Sequence, residues 1–367
     1  MALAAGALCV LAFAPFGFGV AALAALAILF FLWRYPARPG LGVWTGYAFG
    51  LGLMGFGVFW LRISIAQFGG VPLPLAIVIT IAFVLLMALY FALAGWIAGH
   101  LRGRSEVAWL TLCLPALWVL VEWLRGWLFT GFPWLGLGYS QIDLPLVGYA
   151  PILGVYGVGL LLALSSGLVN LLPHPGAALA LVALWIGGLG LQNVDWTAPA
   201  GQPVRVSLLQ GNIPQADKWR PSMRQPSLDL YLRMTDEVPD SRIVIWPETA
   251  VPAFAADVEA SLLAPLNSRL RSEGRDVLLG IVDGEPDGEY FNAMLSLGSS
   301  GRDYYHKRRL VPFGEYVPLA RFLFFIRRLV SAAGDFEAGK RITPLPSRTS
   351  SMGILICFEA IFPELAR

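Results

Sequence analysis

The stretch Met352-Gly353-Ile354-Leu355-Ile356-Cys357-Phe358-Glu359 lies near the carboxyl end of a chain of 367 residues. It is a short apolar run that follows a Ser/Thr/Pro segment, which is the pattern of a buried β-strand. The predicted strand delivers one thiol and one carboxylate at its exit. Cys357 is therefore a candidate nucleophile, and the rest of the chain is searched for its partners.

The composition is that of a membrane protein. Hydrophobic residues make up 57% of the chain and charged residues 14%, and the mean hydropathy is +0.65, far more apolar than a soluble domain requires. The net charge of +2 and the lack of basic clusters argue against a nucleic-acid partner. The three cysteines have no CxxC spacing, so neither a zinc site nor a disulfide framework is expected.

The distribution of charge predicts two domains, a membrane domain over residues 1–196 and a globular domain over residues 197–367. A membrane-spanning helix needs about 20 apolar residues. On that basis we expect about seven spans, at approximately 2–14, 17–33, 41–62, 72–99, 106–125, 149–171 and 177–192.

Arginine placement predicts the orientation of these spans. Arg34 and Arg38 lie between the second and third spans, and Arg102 and Arg104 lie between the fourth and fifth. Positive loops favour the cytoplasmic side, so even-numbered spans end in the cytoplasm. Because the expected number of spans is odd, the second domain is expected on the outer face of the bacterial cytoplasmic (inner) membrane. That face is the periplasmic one in a cell with two membranes.

Two features of the membrane domain are candidates for more than packing. Glu122 and Arg125 lie three residues apart in the fifth span, where an ionisable pair is either functional or a salt bridge at the helix end. The aromatic, glycine-rich segment 132–141 follows them on the outer side. It is a candidate entrance for lipid.

The second domain alternates apolar and amphipathic segments, which predicts an α/β fold. The expected strands are 204–210, 242–246, 277–282, 293–297 and the one that begins at Met352, and the expected helices are 222–237 and 256–273.

Three side chains are candidates for chemistry, which in such a fold collects beyond the ends of strands. Glu248 follows the second strand, Cys357 follows the last one, and Lys307 lies in a basic segment between them. Each has an ordinary interpretation: a carboxylate at a helix start, a core cysteine and a solvated surface lysine. Taken together, the three ordinary interpretations are less attractive than one shared site.

Several motifs resemble the Glu/Lys/Cys set of the nitrilase superfamily in order and approximate spacing. They are Trp246-Pro247-Glu248, Val311-Pro312-Phe313-Gly314-Glu315 after Lys307, and Cys357-Phe358-Glu359. With the preceding spans, 210–215 and Lys218-Trp219, the chain resembles the membrane-bound apolipoprotein N-acyltransferase family. The resemblance implies a polytopic α-helical membrane domain followed by an α/β nitrilase-like domain, an αββα sandwich.

The resemblance also implies a two-step acyl transfer without a cofactor or metal. Cys357 would take an acyl chain from a phospholipid of the membrane as a thioester, and the chain would pass to the α-amino group of a diacylated apolipoprotein. An ordinary thiol needs activation to act as a nucleophile, so Glu248 would be its base. Lys307 would stabilise the oxyanions.

Five further residues match positions of the family. Glu315 is expected to support the catalytic set, Trp219 and Glu359 to handle substrate or position the site, and Asn292 matches without an assigned role. Phe358 stands where other members carry Tyr.

The chain ends at Arg367, eight residues after Glu359, whereas the catalytic domain of the family continues. We therefore expect a chain that is incomplete at its carboxyl end.

Two other functions remain open at this point. A membrane-tethered nitrilase or amidase would share the three residues but use water as the acceptor for a small C–N substrate. A non-enzymatic membrane protein such as a transporter would more often show internal repeats. The aromatic outer segment and the preceding spans favour a lipid donor.

Overall fold

The computed structural model describes residues 1–35, 40–67, 69–103, 105–172, 174–285, 288–312, 314–316, 336–347 and 351–366. The chain divides into two compact units: Met1–Ala66 with Pro72–Pro199, and Gln67–Val71 with Ala200–Arg367. Arg38, Arg104 and Phe313, which entered the predictions above, lie outside the described residues.

The first unit is helical and apolar, as predicted for a membrane domain. Its helices pack through buried aliphatic and aromatic side chains such as Leu26, Phe49 and Trp118. The helices are Ala2–Val10, Val20–Arg34, Leu41–Gly57, Leu61–Gln67, Leu73–His100, Glu106–Thr130, Pro145–Val169 and Pro175–Leu191.

Three of these helices are long and apolar enough to cross a membrane: Leu73–His100, Glu106–Thr130 and Pro145–Val169. Leu41–Gly57 and Leu61–Gln67, which meet at a bend of 49°, make a fourth if they form one broken span. The other apolar helices are shorter than a span requires. The expected number of seven stays a prediction.

Glu122 and Arg125 are both buried in this unit, at 4% and 1% exposure. The Glu122 carboxylate accepts a hydrogen bond of 2.9 Å from the Leu137 N–H. Arg125 donates to the carbonyl oxygens of Phe132 and Trp134. Both side chains therefore hold the backbone of the aromatic segment 132–141. The sequence interpretations, a functional pair or a salt bridge at the helix end, did not predict this structural role.

The second unit is built on a mixed five-stranded sheet, which confirms the α/β prediction. The strands are β1 Val206–Leu208, β2 Ile243–Ile245, β3 Asp276–Gly284, β4 Tyr290–Gly298, β5 Asp303–His306, β6 Leu345–Pro346 and β7 Ser351–Met352. Strands β1, β2 and β3 run parallel, β4 and β5 continue the sheet antiparallel, and the spatial order follows the sequence. A separate pair, β6 and β7, is antiparallel. The main helices are Pro221–Asp236, Ala255–Val258 and Ala264–Glu273.

Side chains of the sheet divide between two cores because neighbouring residues of a strand point to opposite faces. Tyr304 of β5 packs against the core that includes the helices, whereas Tyr305 packs with Leu345 and Ile356 in the other core. Lys307 follows two residues after Tyr305, and its N–H continues the ladder with a 2.8 Å bond to the Asn292 carbonyl. This alternation assigns Lys307 to the Tyr305 face.

The strand predicted from Met352 to Ile356 is mostly wrong. Pairing ends at Met352, and residues 353–356 have no regular structure before a short 3₁₀ turn, Cys357–Ile361. The Ile356 N–H donates to the Glu359 side chain at 2.8 Å instead of to a neighbouring strand. Ile354 and Ile356 still pack in the Leu345 core, which explains why the stretch has the apolar pattern of a strand.

Candidate active site

Glu248 is held by the well-packed end of β2. Trp246 is fully buried, its ring stacks on Tyr231 at 5.2 Å between centroids, and its Nε1 donates to the Thr235 hydroxyl at 3.0 Å. Thr249, directly after Glu248, has a φ of +47°, a left-handed conformation that is rare for a β-branched residue. The sharp turn ends the strand and leaves the Glu248 side chain at its exit.

Asn292 and Lys307 place two nitrogen donors beside Glu248 and Glu315. Lys307 Nζ lies 3.1 Å from Glu248 Oε1 and 2.9 Å from Glu315 Oε1. Asn292 Nδ2 donates to the same two oxygens, at 2.7 Å and 2.8 Å. The second oxygen of Glu315 accepts the Val311 N–H at 2.8 Å. The two carboxylates are thus cross-linked by an ammonium and an amide.

This arrangement keeps Glu248 and Lys307 in their charged forms. Burial by itself would raise the pKa of Glu248, but the charge of Lys307 and hydrogen bonds from Asn292 and Lys307 outweigh it and hold that pKa below its usual value. Burial would lower the pKa of Lys307, and the charges of Glu248 and Glu315 overcome that effect and raise it. Glu248 is therefore a carboxylate able to accept a proton, and Lys307 remains an ammonium.

Cys357 adjoins this cluster at a strained turn. Its φ is +51°, a conformation that typically persists only where the surroundings impose it. The residue is solvent exposed, and its thiol interacts electrostatically with Glu248. Partial burial of the sulfur, followed by the charge of Glu248, raises the pKa of the thiol. The resting group is a protonated thiol that needs a base, and Glu248 is the carboxylate with the largest influence on it.

Glu359 ties the Lys307 segment to the Cys357 turn. It is fully buried, and its Oε1 accepts bonds from the Tyr305 hydroxyl at 2.9 Å and from the backbone N–H groups of Arg308 and Arg309 at 2.7 Å and 3.2 Å. Its Oε2 accepts the Ile356 N–H. One carboxylate therefore sets the separation of the two loops that carry the ammonium and the thiol.

Comparison with known proteins gives a family for both halves of the chain. The model of the apolipoprotein N-acyltransferase N-terminal domain matches residues 5–168, and that of carbon-nitrogen hydrolase matches residues 205–367. An apolipoprotein N-acyltransferase of Methylococcus capsulatus is 45% identical over 99% of this chain and 74% of its own length. Those of Nitrosomonas europaea and Vibrio vulnificus are 42% and 38% identical, with the same coverage. The chain belongs to the apolipoprotein N-acyltransferase family.

The cluster accounts for most of the residues predicted for an apolipoprotein N-acyltransferase. The structure brings together the five residues Glu248, Lys307, Cys357, Asn292 and Glu315. Glu359 lies behind them in a positioning role, one of the two that were expected for it.

The other two predicted residues are Trp219 and Phe358. Trp219 is 51% exposed. Phe358 packs edge-on against Phe362, with ring centroids 5.1 Å apart. The role of Trp219 in handling substrate or positioning the site stays a prediction. The match of Phe358 to a position where other family members carry Tyr also stays a prediction.

Two residues of the site were missed from sequence, Gly280 and Lys218. An isolated glycine inside the apolar run of β3 was an available signal of close backbone approach. Lys218 is one of three lysines in the chain and belongs to the Lys218-Trp219 motif, but the sequence interpretation gave it no role. Across the described ranges, no group of three or more His, Cys, Asp or Glu side chains is placed to hold a metal ion.

Gly280 is predicted to be essential for the position of Glu248. A β-carbon at Gly280 would lie 2.3 Å from the Thr249 nitrogen and 2.4 Å from the Pro247 carbonyl oxygen, so the Gly280→Ala change must displace the turn that carries Glu248. We expect kcat to fall about 10²-fold, because small displacements of catalytic groups are costly. At Gly353 an added β-carbon meets no atom within 4 Å, and Gly353→Ala is the matched control. Wild-type kcat in the Gly280 variant would refute this prediction.

Glu359→Ala is predicted to destabilise the second unit. The change leaves four donors without their acceptor, and each buried unsatisfied donor costs about 1–3 kcal/mol. We expect thermal unfolding in detergent to shift to a clearly lower temperature. Glu364→Ala is the control, because Glu364 is 45% exposed and lies 3.5 Å from Arg309; exposed pairs of this kind contribute little. Equal shifts for both variants would contradict the assigned role of Glu359.

Proposed function

We propose that this protein transfers an acyl chain from a phospholipid, through a thioester on Cys357, to the α-amino group of a diacylated apolipoprotein. As a member of the apolipoprotein N-acyltransferase family, it is a membrane-bound acyltransferase that acts in lipoprotein maturation. The observation that carries the proposed route is that the Cys357 thiol interacts electrostatically with Glu248, whose Oε1 lies 3.1 Å from Lys307 Nζ, because this arrangement supplies a nucleophile, a base and an ammonium.

In the first step, Glu248 takes the proton of the Cys357 thiol. The thiolate attacks the ester carbonyl carbon of the phospholipid, and the carbonyl oxygen becomes an oxyanion. An ammonium has three N–H donors; Lys307 uses two for Glu248 and Glu315 and offers the third to this oxyanion. The C–O ester bond then breaks, and the leaving lysophospholipid oxygen takes the proton from Glu248. The acyl group remains on Sγ.

In the second step, the neutral α-amine of the acceptor attacks the thioester carbonyl. Glu248 takes a proton from the amine nitrogen as the C–N bond forms. Collapse of the tetrahedral intermediate breaks the C–S bond and expels the thiolate, which recovers the proton from Glu248. The products are an amide and the free thiol, so the enzyme returns to its starting state.

The proposed location is the bacterial cytoplasmic membrane, with the second unit on its outer face. The apolar helices support residence in a membrane. The orientation rests on the arginines between predicted spans, among which Arg34 and Arg102 lie within the described ranges. A phospholipid of that leaflet would then be the donor.

The test offers the protein a phospholipid with a labelled acyl chain. We expect a label on Cys357 that hydroxylamine releases, and transfer of that label to an added diacylated lipopeptide. A simple primary amide, offered side by side, distinguishes acylation from hydrolysis. Hydrolysis of the amide without acylation of the lipopeptide, or no adduct on the intact wild-type protein, would overturn the proposal.

A further inference from the structure

The catalytic cluster has more negative than positive charge if Lys307 is its only cation. Glu248 and Glu315 both bind the Lys307 ammonium within 3.1 Å, so two carboxylates share one positive charge. Ionisation of Cys357 adds a further negative charge beside them. Because like charges oppose ionisation, a thiolate in this cluster calls for a second cation.

Lys218 is placed to be that cation. It lies in the loop between β1 and the helix Pro221–Asp236, is partly buried, and its Nζ donates to the backbone carbonyl of Glu248 at 2.7 Å. Electrostatic interaction couples its ammonium to Glu248 and also to Cys357. Asp217, in the same loop, is paired with Arg220 at 2.9 Å.

The scarcity of lysine in this chain supports a specific role for Lys218. The chain has 26 Lys and Arg residues, and only Lys218, Lys307 and Lys340 are lysines. Two of the three therefore lie at the catalytic cluster. A lysine provides a compact point charge on a flexible stem, whereas the planar guanidinium of arginine suits forked, bidentate pairing with carboxylates.

We propose that Lys218 is a positioning residue that fixes the backbone of Glu248 and supplies the positive charge that favours the Cys357 thiolate. The inference rests on the proposed function, in which Glu248 is the base and Cys357 the nucleophile. The charged groups that interact electrostatically with the thiol are Glu248, Glu315, Lys307 and Lys218, and Lys218 changes their summed charge from an excess of one negative to balance.

Burial lowers the pKa of Lys218 below its usual value, and the charges of Glu248 and Cys357 offset only part of that effect. The coupling is mutual, because a cation that favours a thiolate is itself favoured by it. Formation of the Cys357 thiolate therefore stabilises the protonated form of Lys218, and that positive charge in turn stabilises the thiolate.

The test measures the rate at which iodoacetamide alkylates Cys357 as a function of pH, in the full chain and without lipid. Mass spectrometry of the Cys357 peptide excludes signal from Cys9 and Cys113. In Lys218→Met and Lys218→Gln we expect the profile to move to higher pH by about one unit, which lowers the rate near neutral pH about tenfold. Lys218→Gln keeps an N–H donor for the Glu248 carbonyl, so its shift reports the charge alone.

Two further variants complete the test. Lys218→Arg keeps the charge and is expected to retain the wild-type profile, although its different shape lowers kcat. Lys340→Met removes an exposed lysine with an equal change in net charge and is expected to change nothing. Wild-type profiles in both neutral Lys218 variants, or the same shift in the Arg or Lys340 variant, would overturn the proposal.

The two proposals fail in different ways. If wild-type protein forms the phospholipid-derived thioester but the neutral Lys218 variants keep the wild-type alkylation profile, only the role of Lys218 is refuted. If wild-type protein forms no thioester, the proposed function is refuted whatever the alkylation profiles show.

Discussion

Cys357→Ala is expected to abolish both acylation of the protein by phospholipid and transfer to a lipopeptide. The thiol is the only group that the proposed route acylates, and loss of a catalytic nucleophile lowers kcat by up to about 10⁶-fold. Incubation with labelled phospholipid, with and without hydroxylamine, measures the adduct. Label transfer to a diacylated lipopeptide measures turnover.

Cys9→Ala and Cys113→Ala are the matched controls. Cys9 is buried and Cys113 partly buried, both as free thiols, so each control removes a sulfur atom outside the catalytic cluster. We expect both to acylate and turn over at the wild-type rate. Turnover of the Cys357→Ala protein, or loss of the adduct in either control, would show that Cys357 is not the acyl carrier.

Lys307→Met is the second change for which a large loss is expected. It leaves Glu248 and Glu315 around a hydrophobic side chain and removes the donor for the oxyanion. Loss of one oxyanion donor lowers kcat about 10²–10³-fold, and the loss of the ammonium that pairs two partly buried carboxylates adds to the damage. We expect kcat for lipopeptide acylation to fall by at least about 10³-fold, measured by label transfer.

The same variant is expected to change the pH dependence of the residual activity. Lys307 is the largest of the influences that lower the pKa of Glu248. Without it, that pKa rises, so the base becomes protonated at higher pH and activity is lost sooner on acidification. The acid limb of kcat/KM therefore moves to higher pH. The Lys340→Met control keeps the wild-type profile, and an unmoved acid limb in Lys307→Met would argue against Glu248 as the base.

Two of the candidate catalytic side chains could be selected from sequence because they follow apolar runs. Glu248 comes directly after Trp246-Pro247, and the exit of a strand is where side chains become available for chemistry. Cys357 was found by the same rule, although pairing ends at Met352. Packing of Ile354 and Ile356, rather than a strand ladder, dictates the apolar pattern that precedes Cys357.

The cross-links of the site could not be predicted in the same way. Asn292 meets Lys307 because β4 and β5 pair in one particular register, and an antiparallel register cannot be read from either strand alone. The contact of Gly280 with the Pro247–Thr249 turn and that of Lys218 with the Glu248 carbonyl also join segments distant in sequence. Local patterns carry the identity of catalytic groups but not the geometry that couples them.

The alternation of faces along β5 has a consequence for how genes of this kind can change. Deleting His306 alone would carry Lys307 into the helix-covered side of the sheet and put Arg308 at the position of the ammonium. Every catalytic side chain would still be encoded, yet the two carboxylates would face a guanidinium of different reach. The length of this segment therefore matters to the site as well as its lysine, and a one-residue deletion there is expected to abolish activity even though Lys307 is retained.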